Sequence, residues 1–138
     1  MIGKIAAWNV RGLSQTSRQD EVVSLIREQS LCMCAVVETH LRKKSVKVVG
    51  DRLFRNWSWA SNMADCRSVC RIMVGWNTNV IGANLISHFD QSMHFEINFV
   101  HDHRKQFVSF IYAKNKGVDR RALWSNLLEH KKLVNGEP

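Results

Sequence analysis

Residues 31–37 form an unbroken apolar run, Leu-Cys-Met-Cys-Ala-Val-Val, that stops at the carboxylate of Glu38. The run has the length of a strand. Upstream, a first apolar stretch over 2–8 ends at Asn9-Val-Arg-Gly12, where a glycine supplies turn freedom. Ser14-Gln-Thr-Ser17 then offers N-cap hydroxyls, with Asp20 and Glu21 in the following turn, before the periodic set Val22, Val23, Leu25 and Ile26. That spacing predicts an amphipathic helix over 17–29. The first 38 residues therefore read as strand, helix, strand, a crossover unit whose two strands run parallel.

After this unit the texture changes. Residues 42–54 are basic and mixed and read as a short helix with Val46, Val48 and Val49 as its apolar part; strand-like segments follow at 57–61, 71–76, 80–88, 93–101 and 106–112. Met93, Phe95, Ile97 and Phe99 alternate with His94, Glu96 and Asn98, the pattern of a strand with one wet face. The segment 106–112 is apolar on both faces and predicts an interior strand, while His101-Asp-His-Arg-Lys105 reads as a polar hairpin turn. A helix is expected over 118–133, with Leu123, Trp124, Leu127 and Leu128 on one face. No repeat, low-complexity tract or Pro/Gly linker interrupts the chain, so 1–138 is read as a single α/β domain: a layered sandwich with a mixed, largely antiparallel sheet and flanking helices.

Charge narrows the partner. The chain carries a formal net charge of +8 with a pI near 9.7, and all of the excess sits in two stretches, residues 42–55 and 104–121. Each stretch holds six bases against one acid, so the rest of the chain is slightly acidic. Two such blocks folded together would face a polyanion, each neutralised phosphate adding a salt-dependent increment of affinity. The opening residues are too short for a signal peptide and no apolar run approaches the roughly 20 residues a membrane span needs, giving an intracellular reading without a membrane partner. Cys32-x-Cys34 and Cys66-x-x-x-Cys70 lack the two-residue knuckle spacing of zinc ribbons, and Cys32 and Cys34, inside the apolar run, read as small buried hydrophobes. The six histidines form no ligand set with a carboxylate beyond a weak His101-x-His103 pair, and read as solvated turn residues.

Chemistry should collect where strands end. Asn9 and Glu38 terminate two strands expected to be neighbours, and one amide oxygen with one carboxylate suits a hard cation such as Mg²⁺ that keeps several waters. Tyr112-Ala-Lys-Asn115 stands at another strand end, followed by Lys116 and the Arg120-Arg121 pair; a hydroxyl, an amide and guanidinium groups there suit phosphate contact.

The order of five segments is specific where each alone is weak: Trp8-Asn9-Val10-Arg11-Gly12-Leu13, Val37-Glu38-Thr39-His40, Arg71-Ile-Met-Val-Gly-Trp76-Asn77, Phe110-Ile-Tyr112-Ala-Lys-Asn115 and Arg120-Arg-Ala-Leu-Trp124. Together they resemble the endonuclease/exonuclease/phosphatase superfamily, and in detail the endonuclease domain of plant LINE-type, non-LTR retrotransposons. The resemblance implies Glu38 as principal Mg²⁺ (or Mn²⁺) ligand, with Asn9 beside the metal and the attacking water. It implies Tyr112 and Asn115 at the scissile phosphate. Arg120 and Arg121 are implied at the DNA backbone, where Arg42, Lys43, Lys44, Lys114 and Lys116 also read as nucleic-acid contacts. It further implies DNA as partner, no small-molecule cofactor, and a nuclear location if the protein functions as its relatives do.

The sequence also departs from that family. The Gly-Asp-x-Asn strand, whose Asp and Asn orient the water, and the closing Asp-His pair are both missing from these 138 residues. The expectation is the N-terminal part of the family fold, with metal weakly bound and catalysis crippled in isolation. The missing half, or a reverse transcriptase segment of a longer polyprotein, would be its partner. The alternatives are a non-catalytic nucleic-acid-binding remnant, a truncated reading frame without function, and a phosphatase of the same superfamily.

Overall fold

The computed structural model describes residues 3–113. The expected helix over 118–133 lies outside the described residues, as do Lys114, Asn115, Lys116, Arg120 and Arg121. In chain order the elements are β1 (Lys4–Asn9), α1 (Thr16–Glu28), β2 (Leu31–Arg42), α2 (Lys43–Leu53), β3 (Ser58–Ser61), a single 3-10 turn (Met63–Asp65), β4 (Val69–Trp76), β5 (Ile81–Phe89), β6 (Ser92–Phe99) and β7 (Lys105–Ile111). They build two sheets, ordered β1-β2-β4-β3 and β5-β6-β7. Among the described residues only β1 and β2 pair in parallel, Ile5 opposite Met33 through Asn9 opposite Val37, and the other pairings are antiparallel.

Three layers result. Alternation along β2 sends Cys34 and Val36 to the helices, where they meet Val22 of α1 and Val46, Val49 and Leu53 of α2. Met33, Ala35 and Val37 point the other way and pack with Ile72 and Val74 against Ile81, Met93, Phe95, Ile97 and Phe110 of the second sheet. A strand buried on both faces needs the unbroken apolar run seen in the sequence. A slip in the β1–β2 register at Cys32 puts that thiol in the inter-sheet layer and Cys34 in the helix-side layer, so the two sulfurs separated by one residue serve opposite cores. Burial pushes the Cys34 thiol up to about 12. Gly75 is needed by packing: a Cβ there would lie 2.1 Å from the ring of the buried Phe54.

Three expectations are corrected. The start of α1 is capped by no side-chain hydroxyl; Gln15 holds the cap position, and Gln19 turns back so that its Nε2 donates to the Leu13 carbonyl at 2.9 Å. The outward face of β6 is not uniformly wet: His94 is buried, with its ring nitrogens 2.7 Å from the Ser109 hydroxyl and 3.0 Å from the Ser92 hydroxyl, partners that make burial tolerable. The segment expected as an interior strand, β7, pairs among the described residues with β6 alone, and its outward Phe107 and Ile111 are 37% and 44% exposed. Apolar residues on both faces report that a strand can be covered, not which element covers it.

Candidate active site

The loop after β1 is built by continuing the parallel ladder. Val10, Gly12 and Leu13 donate their N–H groups to the carbonyls of Val37, Glu38 and Thr39 at 3.1, 2.8 and 2.9 Å. Buried Val10 and Leu13 anchor the loop at both ends, and Gly12, at φ +102°, makes the turn that a side chain would resist. Asn9 lies exposed at the tip of β1, its Oδ1 accepting the Arg11 N–H at 3.1 Å. Asn9 and Glu38 thus stand on adjacent parallel strands at one end of the sheet.

Glu38 is not at the end of its strand, as the sequence reading had it. β2 continues to Arg42, and Glu38 opens an irregularity in the β2–β4 ladder between Val37 and Leu41. Glu38 and His40 both adopt positive φ, +62° and +55°. Such conformations cost non-glycine residues on the order of 1 kcal/mol each and persist only where the surroundings over-determine them. Thr39 is the restraint: fully buried, it donates its hydroxyl to the Cys70 carbonyl at 2.6 Å and so bolts the bulge to β4. In the bulge the Glu38 side chain is 25% exposed, with its Oε1 3.4 Å from His40 Nε2.

Facing this bulge on β4, between Cys70 and Ile72, is Arg71. Its guanidinium carbon lies 5.4 Å from the centre of the Tyr112 ring, so β4 bridges the Glu38 bulge to the tyrosine at the end of β7. Arg71 heads one of the five segments, but nothing in its spacing marks it as a site residue. Asn62 is a fully buried side chain whose Oδ1 accepts the N–H groups of both Arg71 and Ile72 at 3.3 and 2.9 Å. A Ser-Asn-Met stretch gives no sign in sequence that its asparagine is interior.

The basic residues divide. Arg42, Lys43 and Lys44 are exposed at the start of α2, whose first turn holds no acidic residue. Of the rest of that block, Lys47 pairs with Asp51 at 2.9 Å and Arg52 with Asp20 at 2.7 Å, while Arg55 is exposed. In the second block Arg104 pairs with Asp102 at 2.8 Å and Lys105 with Glu96 at 3.4 Å. Asp51 and Asp102 are held below the ordinary carboxylate value, the first chiefly by the Lys47 ammonium and the second chiefly by the Arg104 backbone N–H. Among the described residues Arg42, Lys43 and Lys44, where β2 gives way to α2, form no such ion pair.

As a metal site the donors fit one ion class. Glu38 and Asn9, at the same end of neighbouring strands, would offer hard oxygens, a set that suits a largely hydrated Mg²⁺ or Mn²⁺ and not a closed protein cage. His40 stands beside Glu38, and no cluster of three or more His, Cys, Asp or Glu forms among the described residues.

The fold is that of the endonuclease/exonuclease/phosphatase proteins. An endonuclease/exonuclease/phosphatase family protein from Bacteroides thetaiotaomicron superposes with a TM-score of 0.67 at 9% identity, over 96% of this chain and 58% of that one. TDP2 of D. rerio, solved with a single-strand DNA product, gives a TM-score of 0.61 at 12% identity, over 93% and 54%. The human Nocturnin catalytic domain, solved with a bound sulfate anion, gives 0.61 at 10% identity, over 94% and 58%. The chain therefore spans a little more than half the length of these neighbours. No protein-family model and no curated protein sequence matches it.

Proposed function

We propose that this chain corresponds to the N-terminal part of a Mg²⁺-dependent DNA endonuclease domain of the LINE-type retrotransposon kind, and that the 138 residues by themselves hold DNA but cut it poorly. One observation carries the reading: Asn9 and Glu38 lie side by side at one end of the parallel β1–β2 pair, Glu38 in a strained bulge, in a fold shared with nucleases and phosphatases. Glu38 would supply the anionic metal ligand and Asn9 the neighbouring amide. A Mg²⁺ ion bound there supplies polarisation of a phosphoryl oxygen and stabilisation of a leaving oxyanion. The Tyr112 hydroxyl donates to the phosphate, and Arg42, Lys43 and Lys44 neutralise backbone phosphates beyond it. Orienting the attacking water needs further groups, and Gly-Asp-x-Asn, which supplies them in the family, is not in this sequence. The partners in this reading are DNA and the remainder of the fold or a reverse transcriptase segment, and its setting is the nucleus.

The three exposed bases opening α2 without an acid in the first turn favour a second reading, DNA binding without any metal step. Titration of a short labelled duplex with and without Mg²⁺ tests the pair. The first reading expects Mg²⁺ to tighten binding and Glu38→Gln to abolish that increment. Binding that is salt-dependent yet indifferent to Mg²⁺, to chelation and to Glu38→Gln selects the second.

A further inference from the structure

Arg71 and Tyr112 belong to different sheets, yet both are fastened to the same turn. Asn62 takes the Arg71 and Ile72 N–H groups on its Oδ1 and donates its Nδ2 to the carbonyls of Phe89 and Asp90, at 3.0 and 3.2 Å, in the β5–β6 turn. Tyr112 donates its N–H to the carbonyl of Gln91, the next residue of that turn, at 2.8 Å. The backbone of each partner is thereby fixed before their side chains meet, and the guanidinium sits over the ring at 5.4 Å.

We propose that Arg71 is a phosphate-binding residue of the site, held by the Tyr112 ring so that the DNA phosphate reaching Tyr112 also meets the guanidinium. The inference rests on the reading of Tyr112 as facing DNA. A guanidinium stacked on an aromatic face keeps the N–H donors at its edge available, and their planar fork matches two phosphate oxygens. Internal ion pairing does not consume the charge: Asp65, which lines the cavity beside Arg71 together with Arg67 and Asp90, is taken by His88 at 2.6 Å. Arg71 forms no ion pair among the described residues. Its backbone lies opposite the 38–40 bulge on the neighbouring strand, and its guanidinium over the Tyr112 ring.

The test is the salt dependence of binding to a short fluorescein-labelled duplex. Arg71→Gln is expected to weaken binding about tenfold and to lower the log–log salt slope by about one, the signature of a lost phosphate contact. Arg71→Lys keeps the slope but loses several-fold in affinity, because an ammonium cannot stack and fork. Exposed Arg27→Gln, on the far part of α1, changes neither quantity. If Arg71→Gln fails to fold by circular dichroism, the Arg71→Lys split between affinity and slope carries the test. Wild-type binding with an unchanged slope in Arg71→Gln, or wild-type affinity in Arg71→Lys, overturns this inference and leaves the proposed function standing; a wild-type chain that binds no DNA overturns both.

Discussion

The N–H of Gly12 donates to the carbonyl of Glu38 at 2.8 Å, and both residues hold positive φ, +102° and +62°. The bond ties the loop to the bulge, where Glu38 holds a conformation it disfavours alone. A Cβ at Gly12 would meet nothing within 4 Å, so Gly12→Ala is expected to destabilise through backbone strain alone, by about 1–2 kcal/mol in urea unfolding. An unchanged midpoint would mean that the loop can relax without its turn.

Asn62 is a fully buried polar side chain that serves several backbone groups. Replacing it by Ala withdraws acceptor and donors from four backbone groups, those of Arg71, Ile72, Phe89 and Asp90. At about 1–3 kcal/mol for each buried group left unmatched, Asn62→Ala should cost more than about 3 kcal/mol. Denaturant titration measures it, and a loss under about 1 kcal/mol would show that water takes the vacated place.

Gly75 lies under the Phe54 ring. Gly→Ala in a strand interior ordinarily helps slightly, but here the new methyl would stand 2.1 Å from a ring that is itself buried. Gly75→Ala should therefore cost about 1–3 kcal/mol, and the double variant Gly75→Ala/Phe54→Leu should recover part of that loss.

Alkali should weaken the fold in a defined window. Burial raises the Cys34 thiol from the ordinary 9.0 to about 12, so between those values the unfolded chain has lost a proton that the folded chain keeps. Stability therefore falls as pH rises above about 9, by about 1.4 kcal/mol per unit for this thiol. The other three thiols are raised by burial in the same direction. Urea midpoints of wild type and Cys34→Ala should converge as pH is raised from 8.5 towards 11; parallel curves would contradict the assignment.

What the sequence made legible was local or carried by a crossover. A strand, a helix and a strand in succession constrain handedness and neighbourhood, which is why Asn9 and Glu38 were expected side by side. The Arg71–Tyr112 stack depends on one sheet lying over the other, and no periodicity carries that information. Asn62 and His94 look like ordinary polar residues because their burial depends on partners distant in the chain: the β5–β6 turn for one and Ser109 for the other. The bulge at 38–40 is not legible in sequence because Glu rarely adopts positive φ and a single His, though tolerant of it, does not mark a bulge. The basic blocks overstated the free charge, since composition cannot show that Lys47, Arg52, Arg104 and Lys105 are answered by nearby carboxylates.

Conversion of supercoiled plasmid to the nicked circle in Mg²⁺ tests the central claim most directly, because it asks whether Asn9, Glu38 and Tyr112 suffice without the groups that orient water. The expected result is slow nicking by the 138-residue chain, little above that of Glu38→Gln, alongside clear DNA binding. Rapid Mg²⁺-dependent nicking abolished by Glu38→Gln would contradict it, showing that these residues already hold a complete catalytic site.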